Sequence, residues 1–337
     1  MIDLFGELRT EGAVIEELQR ASGLRVYVRS IAGDGERAFF LARGPAGKRL
    51  GVLSSAPPGG RFDLSTRPVS PWGRQSLLGI GETNPTNAAA LRAALPWLAP
   101  VPVGVHKSVG LGDRLGIATP GHVRALREVP GMAPVFAQQS IREMERTDRT
   151  PQQVLDDAMW GVFQEGWRAG YGADADHLKV EADIDRCAAA GYTMFTLDPR
   201  DHVDKDAETA RPSTLAVKYQ ALPWSDLGTT AEETRRRYVD RTWSLLETPI
   251  TMCAEDLLRS ACKYGRAVAY VVRMYRHLAE VMADGEYELE VSVDETETPT
   301  KPVEHLYFAS ELRRLGVQWV SLAPRYVGRF EKGVDYI

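Results

Sequence analysis

The stretch YGADADHLKV, Tyr171 to Val180, decides how this chain is read. It sets two acids, a histidine and a lysine where a buried strand is expected, between two helix-like segments. Such side chains are costly to bury unless they pair or bind something. Alternation along a strand puts Asp174 and Asp176 on one face, and His177 and Lys179 on the other. At the end of the strand the alternation relaxes, so Asp176 and His177 can both reach the same mouth. Polar groups at a strand's C-terminal end, within a strand–helix rhythm, are the pattern of a barrel active site.

Working outward, that rhythm runs from about residue 100 to the end. Short apolar runs lie at 101–105, 134–137, 192–197, 287–293 and 318–322. Helix-like segments fall near 120–128, 151–169, 181–190, 231–247, 254–283 and 301–315. Their starts are well marked. Thr119-Pro120 offers a cap and an N1 proline, and Thr150 to Gln153 and Thr230 to Glu233 read as capping boxes. Strands alternating with helices predict a parallel sheet with crossover helices. The glycine-rich segment 110–116, GLGDRLG, is spaced G-x-G-x-x-x-G and so lacks the dinucleotide fingerprint. The reading is therefore a TIM-type (β/α) barrel over 101–337. The strand-like segments fall short of the eight that a closed barrel needs, so it is expected to be incomplete.

The first hundred residues differ. Residues 2–21 read as a helix. RVYVRS, RAFFLARG and KRLGVLSS read as strands joined by glycine-rich turns, and a helix follows near 86–96. This predicts a small α+β domain with an antiparallel meander over 1–100.

Composition sets the outer limits. The 337 residues are 44% hydrophobic and 26% charged with a net charge of −5, as in ordinary soluble domains. Lys and Arg are scattered, which gives no footprint for nucleic acid. Cys187, Cys253 and Cys262 show no C-x-x-C spacing, so reduced thiols are expected. The start, MIDLFGELRT, has no long apolar core, and the most apolar run is too short to span a bilayer. A cytoplasmic protein without a membrane partner is expected.

Candidate site residues collect at the predicted strand ends. VFAQQS brings Gln138 and Gln139; the opening stretch brings Asp176, His177 and Lys179. TMFTLDPRDHVD brings Asp198, Asp201 and His202, and YELEVSVDETETPT brings Asp294, Glu295 and Glu297. A neutral imidazole at His177 suits Zn, Ni or Mn. Asp176 beside a bound cation stays ionised and can act as a base. His202 and Asp198 read either as a second ligand pair or as a solvated polar loop. Lys107 and the backbone N–H groups of the following glycine-rich loop suit a substrate carboxylate, although a plain turn explains them too.

Several long strings, KSVGLGDRLGIATPGHVRAL, PVFAQQSIREMERTDRTPQQVLDDAMWGVFQEGW, GADADHLK, DRCAAAGYTMFTLDPRDHVD and ELEVSVDETETPT, resemble the tagaturonate/fructuronate epimerase family. The resemblance runs from about residue 100 to 337. It implies a divalent-metal enzyme that interconverts two keto-uronates differing at one hydroxyl-bearing carbon. It implies Asp176 as base, His177 as metal ligand and Glu295 as the opposing acid, with Asp294 and Glu290 as alternatives for that last role. Lys179, Gln138 and Gln139 match motif positions and are taken, with Lys107, as substrate-binding. The family's proteins continue past Ile337, so a C-terminally shortened member is expected, with further ligands lying beyond and His202 as a substitute. A partner, including a second copy of the chain, is an expected cover for the open strands. Retro-aldol chemistry is the expected route. The alternatives are a metal-dependent aldolase or ketose isomerase, and an inactive fragment or scaffold.

Overall fold

A computed structural model describes residues 2–4, 7–45, 47–59, 61–245, 248–283 and 285–328. The chain divides into two compact units, Met1–Asp174 with Ala189–Thr193, and Ala175–Ala188 with Met194–Ile337.

The first unit opens on the hairpin β1 (Ile2–Leu4) and β2 (Glu7–Arg9), followed by α1 (Glu11–Ser22). The helix expected over 2–21 therefore begins only at Glu11, after the hairpin. An antiparallel sheet follows, made of β3 (Arg25–Val26), β4 (Ala32–Gly33), β5 (Arg37–Gly44), β6 (Gly47–Ser54), β7 (Ser65–Val69) and β8 (Ser76–Glu82). Its order is β3-β5-β6-β8-β7, with β4 also on β5. Val14, Leu18 and Ala21, spaced four and three apart, form the buried stripe of α1. They pack on Val26, Phe40, Leu53 and Leu78, all buried. Each fully buried Leu or Phe here is worth about 1.5–3 kcal/mol.

Next come α2 (Pro85–Ala94), β9 (Ser108–Gly110), α3 (Thr119–Glu128), β10 (Ala133–Ser140), α4 (Ile141–Thr147) and α5 (Pro151–Glu165). β9 and β10 are parallel. The run 101–105 is not a strand. Pro100 and Pro102 remove ladder donors, and Gly104 takes a φ of 67°. His106 and Lys107 therefore precede a strand instead of ending one. Helix α5 stops four residues early, where Gly166 adopts the left-handed conformation.

Strand β11 (Gly172–Leu178) begins in the first unit and ends in the second. The second unit continues with α6 (Glu181–Ala190), β12 (Met194–Leu197), α7 (Pro212–Gln220) and α8 (Ala231–Tyr238). Then follow β13 (Arg241–Leu245), β14 (Thr248–Met252), α9 (Ala254–Val281), β15 (Glu288–Ser292), α10 (Pro302–Arg314) and β16 (Ser321–Ala323). Strand β12 pairs in parallel with β15, and β15 with β16. The helix expected over 231–247 ends at Tyr238, because Asp240 turns the chain at φ 59° into the β13–β14 hairpin. Helix α9 buries Leu257, Ala261, Tyr264, Val268 and Val271 on one stripe. The fold is thus mixed α/β, with parallel strands joined by helices. No helix among the described residues is long and apolar enough to cross a membrane.

Candidate active site

The site is built at the ends of β11, β12 and β15, all within the second unit. His177, one residue before the end of β11, has a φ of 57°. For a residue with a Cβ this conformation costs about 1–2 kcal/mol. The twist breaks the strand's alternation, so that the imidazole sits between carboxylates of separate strands. Its Nδ1 lies 2.6 Å from Asp176 Oδ1. Its Nε2 lies 3.5 Å from Asp294 Oδ1 and 3.9 Å from Glu295 Oε1. At those lengths the contacts are ionic and not well-formed hydrogen bonds. Nε2 is buried and has no hydrogen-bond partner among the described residues.

Burial of the ring opposes its charged form. The carboxylates of Asp176 and Asp294 outweigh that and push its pKa up to about 10. Contact with His177 conversely draws Asp294 down to about 2, against its own burial and with help from the Ser292 hydroxyl at 2.6 Å. Glu290, on β15, behaves the opposite way. Its burial raises its pKa, and the negative charges of Asp176 and Asp294 add to this. The pKa values of neighbouring carboxyls are thereby pushed apart, Asp294 downward and Glu290 upward.

After β12 the chain makes a short 3-10 turn, Arg200–His202. Asp198, 3% exposed, accepts from the Arg200 backbone at 3.0 Å and from its Nε at 2.6 Å. The same guanidinium pairs with Glu295. Lys179 Nζ bonds Asp201 Oδ2 at 2.8 Å and lies 3.9 Å from Asp198, while its carbonyl accepts from the Tyr270 hydroxyl at 2.7 Å. Arg200 was not among the residues that the sequence singled out. Its only local signal is its position between two acids in DPRDH; its bond to Glu295 spans nearly a hundred residues.

The structure brings together Asp176, His177, Asp294 and Glu295, with Lys179 and Arg200 at their sides. It takes His202 elsewhere: that ring stacks on Tyr270, with centroids 4.3 Å apart. Burial and the nearby Arg273 lower its pKa. The remaining residues belong to the first unit. Gln138 Nε2 donates to Asp174 at 3.1 Å and lies across Gly110, where a Cβ would come within 2.0 Å of its Oε1. Gln139, 1% exposed, accepts from Arg149 at 2.8 Å, so its amide is engaged inside the fold. Lys107 stands in the loop before β9, its carbonyl accepting from Ala133. The anion cradle expected in the glycine-rich loop already has an occupant. The Asp113 carboxylate accepts from the N–H groups of Leu115, Gly116, Ala118 and Thr119 at 2.6–3.3 Å. Arg114, in turn, pairs with Glu143.

A divalent cation finds a partial holder here. The orphaned Nε2 of His177 and the facing Asp294 carboxylate have the donor chemistry of a Zn-, Ni- or Mn-type site. No group of three His, Cys, Asp or Glu side chains among the described residues is arranged to hold a metal ion.

Residues 27–337 match the tagaturonate epimerase family. The chain is 42% identical over 318 residues to a tagaturonate/fructuronate epimerase of Thermotoga maritima, a match covering 93% of this chain and 62% of that protein. The native crystal structure of the fructuronate-tagaturonate epimerase UxaE of Cohnella laeviribosi superimposes with a TM-score of 0.84 at 34% identity. A glycerol complex of that enzyme gives 0.84 at 35%. Both cover 97% of this chain and 64% of theirs. The chain thus spans about three-fifths of the length of these relatives.

Proposed function

We infer from the family to which this chain belongs, the tagaturonate epimerase family, that it is an isomerase-class enzyme interconverting tagaturonate and fructuronate. Its parallel strands and crossover helices would form part of a (β/α) barrel. The observation that carries the reading is His177, held near the end of β11 in a left-handed conformation so that its two nitrogens meet carboxylates from β11 and from the segment that follows β15.

The chemistry constrains the roles. The inverted carbon bears a hydroxyl and lies two positions from the ketone, so its hydrogen is not acidic enough for enolisation. Retro-aldol cleavage avoids that problem. Asp176 takes the hydroxyl proton and the adjacent carbon–carbon bond breaks. Its electron pair passes into an enediolate on the ketone side, leaving an aldehyde. The aldehyde rotates, the enediolate attacks its other face, and the new alkoxide recovers a proton. Glu290 suits that last role better than Glu295. Desolvation and two neighbouring carboxylates raise its pKa, the direction a proton donor needs, whereas Glu295 is engaged by Arg200. While Nε2 carries its proton, the positive charge at His177 favours the developing enediolate; a bound cation at Nε2 would take that proton's place. A divalent cation held by His177 Nε2 and Asp294 would supply Lewis-acid polarisation of the ketone.

The test is turnover of tagaturonate by the purified chain, with and without added Mn, Ni or Zn, followed by product chromatography. Fructuronate is the expected product, and Asp176→Asn is expected to lower kcat about 10²–10⁴-fold with the fold intact. Three-carbon products would point instead to an aldolase. Absence of turnover in every metal would refute the reading for this chain.

A further inference from the structure

A second cluster of charged groups lies in the first unit, unconnected with the chemistry above. Glu165, the last residue of α5, is 4% exposed. Three arginines converge on it. Arg29 Nη1 lies 3.3 Å from its Oε2, Arg124 Nη2 2.7 Å from Oε1, and Arg127 Nη1 3.5 Å from Oε2. Arg127 also donates to the Glu165 carbonyl. Gln164, 6% exposed, donates to Glu165 Oε1 at 3.2 Å. The backbone at the centre is fixed. Gly166 has a φ of 57°, and any Cβ there would sit 2.3 Å from the Arg29 carbonyl oxygen. Arg124 and Arg127 share one face of α3, three residues apart.

A single buried carboxylate does not neutralise three guanidiniums. Each guanidinium presents five N–H donors, and the contacts to Glu165 occupy only a few of them. The side chains of Arg29 and Arg124 remain 58% and 63% exposed. Burial lowers the Arg127 pKa, and the positive charge of Arg29 lowers it further, the sign of crowded like charges. These groups line a hollow of about 500 Å³ together with Tyr27, Gln164 and Glu128. That volume is within the range of small-molecule sites. Glu128 is the second acid of the lining, so guanidiniums still outnumber carboxylates there.

We propose that this hollow is a site for a phosphate group, in which Glu165 orders the three guanidinium forks and leaves their free edges for a tetrahedral oxyanion. Guanidinium forks match phosphate geometry bidentately, and a rigid cluster loses little freedom on binding. The site does not depend on the epimerase reading.

The experiment follows thermal unfolding of the full chain in increasing sodium phosphate against sodium chloride at matched ionic strength. A saturable rise in Tm in phosphate alone is expected, with Arg124→Gln weakening the apparent affinity about tenfold or more. Because phosphate also stabilises proteins by exclusion from their surface, phosphorus NMR line broadening of the free anion supplies a second reading. Where Arg124→Gln fails to fold, Arg29→Lys keeps the charge, loses the fork and should weaken binding in the same sense. Tighter binding of glucose 6-phosphate than of inorganic phosphate would identify a phosphate ester as the occupant; equal or weaker binding would identify the free anion. A Tm rise that tracks ionic strength, or one unchanged in the folding-competent variants, would overturn the proposal.

Discussion

Lys263→Met tests how the segment after β15 is held. Lys263 lies on α9 and is 1% exposed. Its Nζ bonds Glu304 Oε2 at 2.8 Å and the Pro299 carbonyl at 3.1 Å, and stands 3.6 Å from Glu208. Glu304 is equally enclosed, at 1%, and its carboxylate also accepts from the Lys301 N–H at 2.9 Å to cap α10. Methionine keeps most of the packing of the lysine stem but leaves the Glu304 carboxylate buried without its counter-ion. Breaking a buried pair in this way costs about 3–5 kcal/mol. Glu304→Gln keeps the cap and removes the charge, so the double variant is expected to recover about 1–3 kcal/mol relative to the sum of the single changes. Urea unfolding of the four proteins, read by far-UV circular dichroism, measures both quantities. A cost for Lys263→Met below about 1 kcal/mol, or strict additivity in the double variant, would show that the pair does not act as argued. The same substitution frees the Pro299 carbonyl, five residues from Asp294, so kcat should fall before the protein unfolds.

Arg200→Lys keeps a positive charge but cannot hold Asp198 and Glu295 together; epimerase assays should show kcat/KM about tenfold or more lower, with thermal stability little changed. Acid stability tests the loop after β9. The burial of Asp113 raises its pKa, but the surrounding backbone N–H groups outweigh this, and the net shift is downward. A depressed folded pKa gives stability that is complete above the unfolded value, about 3.9, and is lost as pH falls through the folded one. Unfolding free energy measured between pH 5 and pH 2.5 should therefore decline less steeply in Asp113→Asn than in the parent chain; equal slopes would contradict the argument.

What was legible in the residues was what local rules govern. Thr150 and Thr230 announced their helices, and both hydroxyls accept the N3 bond of a capping box. The strand–helix rhythm located β11, and the apolar run 287–293 located β15. Other features depend on partners distant in sequence. The stack of His202 on Tyr270 and the bond from Arg200 to Glu295 depend on α9 and β15 coming back to β12. Strand β7 was hidden for another reason: it is an exposed edge strand carrying Pro68 inside a Pro- and Gly-rich stretch, although its partner β8 is its neighbour in sequence. The occupant of the glycine-rich loop was readable in principle. An aspartate inside a run of backbone donors competes with any external anion for them.

The charge balance at the strand ends bears on the proposed substrate. Among the described residues, the carboxylates of Asp176, Asp198, Asp201, Asp294 and Glu295 pair with three cationic groups, His177, Lys179 and Arg200. A keto-uronate brings a further carboxylate into this surplus and would be repelled by it in a medium of low dielectric constant. Two features relieve the repulsion. The upward shift of the Glu290 pKa, caused first by desolvation, lessens the negative charge that it adds. The Nε2 of His177, without a hydrogen-bond partner among the described residues, is open to a cation carrying more charge than the proton it replaces. Added divalent metal should therefore lower KM for the uronate more than it raises kcat, and His177→Ala should abolish that dependence. A KM indifferent to metal would place the compensation of charge in the bound proton alone.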